Sequence, residues 1–218
     1  TMPPTGRTKS IQNLVDKANE SIGQEAWFDA ERSLDRALAM SHGRHDYQGM
    51  AEILDLLQQT RAGWNKQAYA SRTAVRVVDD EVEDSMEVEQ GRYLVQPPLV
   101  GADARRLRLL ALAGGVPAMV LCREPKTQLG LIPVVAIGPL GAIRTKVKPP
   151  KDLKKPPVKW YRDAFASLAE MSLEKINPNH IASRKLEAVL SLLDTIPESG
   201  MLHEQAIALC LESANEEA

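Results

Sequence analysis

Cys122, Arg123 and Glu124 stand side by side at the end of an apolar run. A thiol beside a guanidinium is the pairing that lowers a cysteine pKa and yields a thiolate nucleophile. Gln96, Asp103 and Arg105 follow an earlier apolar triplet, Tyr93-Leu94-Val95. If the two runs are parallel strands joined by a helix, ligands gather beyond their carboxyl ends, beside the helix N-terminus. Gln96, Asp103, Arg105, Cys122, Arg123 and Glu124 are therefore the candidate ligand-binding set. A structural cysteine beside a surface Arg–Glu pair is the competing reading.

No stronger chemical fingerprint is present. The chain has no Walker loop, Gly-x-Gly-x-x-Gly, Gly-x-Ser-x-Gly, His-Glu-x-x-His or Cys-x-x-Cys. A Cys-x5-Arg loop starting at Cys122 needs arginine at 128, where Gln128 stands. Asp103 opposes an anion at the start of its helix. His42, His45 and Asp46 share a turn and offer a three-donor metal set, with a solvated turn as the alternative. His203-Glu204 opens a helix and reads as a surface pair. No catalytic residue, metal or cofactor follows from these patterns.

The elements that must position these residues can be read from periodicity. Ile11, Leu14, Val15, Ala18 and Ile22 recur at helical steps, and Gly23 loosens that helix's end. A second helix spans about 24–40, closed by His42-Gly43-Arg44. A third starts after Asp46, a fair N-cap, and carries Met50, Ile53, Leu54, Leu57, Trp64 and Ala68. From 91 to 148 the pattern becomes β-α-β-β-β: a strand at 93–95, a helix at 102–113, and strands at 117–122, 131–137 and 142–147. The crossover is expected to be parallel and the last pair a hairpin around Gly138-Pro139-Leu140-Gly141. Residues 160–214 read as helices again, with Asn177-Pro178 as a helix start and the tail after 211 frayed. The expected fold class is α+β, with helices at both ends of a small β-α-β-β-β core. A unit of that size is expected to lean on the helices.

Two charged joints divide the chain into segments 8–75, 76–90, 91–148, 149–159 and 160–214. Residues 79–90 hold seven acids and no base, as solvated linkers do. The calcium-loop spacing is absent. Residues 144–159 hold seven bases, one acid and two Pro-Pro pairs, as in a stiff spacer; a polyanion-binding patch is the sharper alternative.

The 218 residues are 44% hydrophobic and 26% charged, with net charge -2, so nothing draws the whole molecule toward nucleic acid or an anionic membrane. The longest apolar stretches, 107–121 and 129–140, are interrupted by arginine, glycine or proline, and no membrane span is expected. Two distant cysteines and no apolar leader core point to the cytoplasm.

Residues 14–38 resemble one tetratricopeptide repeat. Leu14 matches its first large position, Ala18 its small position, Trp27 an aromatic position, Ala30 and Ala37 the two alanines, and Leu34 the large residue between them. The next repeat lapses, with Glu52 and Trp64 at small-residue positions and His42 at the terminal proline. The resemblance implies a single degenerate helix hairpin. Peptide-carboxylate binding in that family uses Lys-x-x-x-Asn, and Val15 replaces the lysine before Asn19. The leading expectation is a non-enzymatic interaction or adaptor protein whose partner is another protein. A small-molecule or enzymatic site at the strand-end edge and polyanion binding through 146–159 are the alternatives.

Overall fold

A computed structural model describes residues 6–70, 74–138 and 141–216. Pro139 and Leu140, the centre of the expected turn, lie outside the described residues. The fold is α+β: along the chain, helices precede and follow the strands of a five-stranded sheet. Its elements are α1 (Gly6–Gly23), α2 (Trp27–His42), α3 (Tyr47–Ala70), β1 (Arg76–Val78), β2 (Gly91–Val95), α4 (Gly101–Ala113), β3 (Ala118–Arg123), β4 (Ile132–Ile137), β5 (Ala142–Val147), α5 (Val158–Leu173), α6 (Ala182–Leu193) and α7 (Gly200–Glu216). None of the described helices is long and apolar enough to cross a membrane.

The chain forms two units. The first comprises residues up to Trp64 with 177–190 and the stretch from Gly200; the second comprises 65–176 with 191–199.

In the first unit, the small residues of α2 perform the expected role. Ala30, Leu34 and Ala37 are fully buried, as are Ala18 of α1 and Met50, Leu54 and Leu57 of α3. Two helix ends differ from expectation. The left-handed positions belong to Glu25 (φ 55°) and His45 (φ 56°), two residues beyond Gly23 and Gly43. Ala26 N–H donates to the Ser21 carbonyl and Asp46 N–H to the Ser41 carbonyl, closing each end by a six-to-one bond. Asp46 then caps α3, accepting from Gly49 N–H at 3.0 Å. The tail stays helical to Glu216, and Ser213 is buried within it.

In the second unit the strand order is β1-β2-β3-β4-β5. The pairs β1–β2 and β2–β3 are parallel, and β3–β4 and β4–β5 are antiparallel. The crossover helix α4 ends where Gly115, at φ 62°, supplies the left-handed residue. Of its leucines Leu107 is fully buried, whereas Leu109 and Leu112 are exposed. One sheet face carries Tyr93, Val95, Val120, Cys122 and Val135 against Ala104 and Leu107 of α4. Val82 completes this core, with Met86 and Val88 packed beside it, so the acidic stretch 79–90 lies on the sheet through its apolar residues. Arg92 of β2 is 2% exposed and donates from Nη1 to the Ala68 and Tyr69 carbonyls at 2.8 and 3.0 Å, neutralising the carbonyl end of α3. Tyr161 of α5 is fully buried and donates to the Tyr93 carbonyl at 3.0 Å.

The Asn177-Pro178 pair does not start a helix. Its carboxamide accepts from Asn179 N–H at 3.0 Å, which closes a turn, and α6 begins only at Ala182. Ile181, just before that helix, is 65% exposed.

Trp27 lies flat against Gly63 of α3: a Cβ added there meets the indole carbons at 2.7 Å. Gly63→Ala is therefore expected to lower stability by about 1–3 kcal/mol through overpacking. Gly23→Ala, with nothing within 4 Å of the added carbon, is expected to cause no loss. Urea denaturation of both variants checks the contrast.

Candidate functional site

The carboxyl ends of three parallel strands lie side by side. The registers align Val78 with Val95 and Val95 with Cys122. The next residues along are Asp79, Gln96 and Arg123, and their side chains join in a row. Arg123 donates from Nε and Nη2 to Gln96 Oε1 at 3.1 and 2.8 Å, and Gln96 Nε2 donates to Asp79 Oδ2 at 3.0 Å. A guanidinium and a carboxylate, bridged by a carboxamide, thus occupy the carboxyl-end edge with one another's hydrogen bonds.

The expected set is divided between the two sheet faces. Strand alternation sends Cys122 to the α4 face and turns Gln96 and Arg123 to the other. Cys122 is 2% exposed, in the core with Leu107 and Val135. Burial, then the charges of Glu124 and Asp103, push its pKa up to about 11, outweighing Arg144 and Arg123. Burial therefore works against a thiolate at Cys122, because desolvation penalises the charged form more than the nearby guanidinium groups favour it. Asp103 accepts from Val100 N–H at 2.8 Å and so occupies the start of α4 itself. Glu124 pairs with Arg144 of β5. Arg105 lies on the exposed side of α4.

The histidines are also engaged. His42 Nε2 lies 2.5 Å from Glu187 Oε1, and His45 Nδ1 lies 3.4 Å from the Tyr47 hydroxyl. Among the described residues no three metal-ligating side chains converge. His203 is not the surface residue its helix-opening position suggested: it is 1% exposed. Its Nε2 lies 3.3 Å from Arg61 Nη1, so it accepts from the guanidinium, which can only donate. Arg61 also donates from Nε to Glu31 at 2.7 Å and from Nη2 to Asp35 at 3.2 Å. Glu31 and Asp35 are four apart on α2, one face of one helix. The available signal was Arg61 falling on the stripe of Leu54 and Leu57, where an apolar residue belongs.

Beside β1 lies an open groove of about 540 Å³. Its lining includes Val77, Asp79, Asp80, Met86, Glu87 and Glu89. β1 is the edge strand. Gln96 N–H donates to the Val78 carbonyl at 3.0 Å, so Val78 faces β2. Alternation along a parallel ladder then turns the N–H and C=O of Val77 away from β2, to the open edge. Sequence reasoning missed this strand because three residues leading into an acidic run carry almost no periodic signal.

Arg61→Leu is expected to destabilise the protein by about 3–5 kcal/mol, since it leaves the nearly buried Glu31 carboxylate without its cation. Chemical denaturation of the variant reads this loss. The thiols supply a second prediction. Burial raises Cys122 to about 11 and Cys210 to about 12, from an ordinary value of 9.0. Above pH 9 the unfolded chain releases thiol protons that the folded chain keeps, so stability falls as pH rises from about 9 toward 11. Urea midpoints across that window test the sign.

No family model, curated protein or solved structure matches the chain.

Proposed function

We propose that this chain is an interaction or adaptor protein, acting by binding and not by catalysis, that takes up an extended segment of a partner protein along β1. The observation that carries the reading is an edge strand with an outward peptide group at Val77 beside an open groove. Addition of a strand to such an edge uses main-chain hydrogen bonds for affinity and the neighbouring groove for selectivity. The alternative edge, at Gln96 and Arg123, is engaged by its own side chains. The helix hairpin of α1 and α2, with its resemblance to a tetratricopeptide repeat, is consistent with a binding protein. We assign the protein to the cytoplasm, where the free thiols Cys122 and Cys210 stay reduced.

Selection from a display library of extended decapeptides with no charge bias tests the proposal. Binders are expected, and Val77→Pro is expected to weaken them at least about tenfold, because it removes the outward N–H without touching the β1–β2 ladder. A library that yields no binder sensitive to Val77→Pro, alongside a metabolite that is turned over, would contradict the proposal.

A further inference from the structure

The groove at β1 has a sign. Among its described lining residues Asp79, Asp80, Glu87 and Glu89 stand against one cation, Arg76. Arg76 is engaged: it donates to the Tyr93 hydroxyl at 2.7 Å, pairs with Glu89 and lies over the Tyr93 ring. Among the described residues Asp80 and Glu87 have no ion-pair partner, and both are exposed. The carboxylates are held close to the strand because Val82, Met86 and Val88 anchor the stretch 79–90 to the sheet.

Resting on the reading of β1 as the docking edge, we infer that the segment it takes up is a cationic extended peptide of another protein, with lysine or arginine at alternate positions. β1 has three residues and turns one N–H and one C=O outward. Main-chain bonding to so short an edge is weak, and a further attraction must select the partner. Alternate side chains of an added strand project on one face. Basic residues at that period meet Asp80 and Glu87, whereas acidic ones are repelled. Apolar residues at the intervening positions suit a strand. The opposite edge of the sheet, β5, carries Arg144 and Lys146, so the two edges differ in charge and only β1 selects for cations.

The test is fluorescence anisotropy with three labelled decapeptides alternating Lys-Val, Ser-Val and Glu-Val, on the whole chain. The Lys-Val peptide is expected to bind at least about tenfold more tightly than the Ser-Val peptide, and the Glu-Val peptide not at all. Affinity should fall about tenfold between roughly 50 and 500 mM NaCl, as exposed charges become screened. The double variant Asp80→Asn/Glu87→Gln, at two exposed positions with no ion pair among the described residues, should weaken Lys-Val binding about tenfold with an unchanged circular dichroism spectrum. Equal binding of Lys-Val and Ser-Val peptides, both lost in Val77→Pro, would overturn the charge inference while leaving the docking edge standing. Binding of no peptide would remove both. Sedimentation showing self-association that Val77→Pro abolishes, with no peptide bound, would make a second copy the occupant and overturn the named partner.

Discussion

Three residue pairs, Arg76 with Tyr93, Val77 with Leu94 and Val78 with Val95, set the chemistry of one end of the sheet. Parallel pairing brings the chain after β1 to the same edge as the ends of β2 and β3. Asp79, Gln96 and Arg123 become lateral neighbours for that reason, and their hydrogen bonds occupy the place where a ligand would be sought first. The same register decides which peptide group of β1 faces outward. An occupied strand-end edge and an open lateral edge are thus two consequences of one pairing.

The acidic stretch 79–90 must return the chain from the end of β1 to the start of β2, since parallel strands cannot be joined by a tight turn. It does so without a helix. Val82, Met86 and Val88 take the sheet face that a helix would otherwise cover, and the acids between them are left to solvent. What composition alone presents as a solvated linker therefore adds Val82 to a core and forms the wall of a groove. Four of its carboxylates, Asp79, Asp80, Glu87 and Glu89, line the groove beside the edge strand, where charge discourages indiscriminate pairing and, on the proposed reading, selects the partner.

Much of the fold was legible because burial leaves a period. β3 and β4 are apolar runs within a residue of their expected bounds, and α2 buries the two alanines that marked it. The failures share a cause: signals set by one or two residues depend on tertiary partners. Asn177-Pro178 is compatible with a helix cap or a turn, and the carboxamide chose the turn. His203 beside Glu204 looks polar in sequence, yet Arg61, 142 residues away, draws it into the interior. The candidate site suffered from the same limit. Gln96 and Arg123 do meet, but Cys122 is adjacent in sequence and opposite in space, since neighbouring residues of a strand face opposite ways. Asp79 completes the row through β1, a strand too short to announce itself.

Docking at β1 is the central claim, and the Val77 amide reports on it most directly. In heteronuclear NMR of the labelled chain titrated with the Lys-Val decapeptide, the Val77 amide is predicted to show the largest shift and a slowed hydrogen exchange, with Asp80 and Glu87 moving beside it. Leu94, whose strand is already paired on both sides, is predicted to change little. Shifts confined to Gln96, Arg123 and Glu124, with Val77 unmoved and its exchange unchanged, would contradict the account.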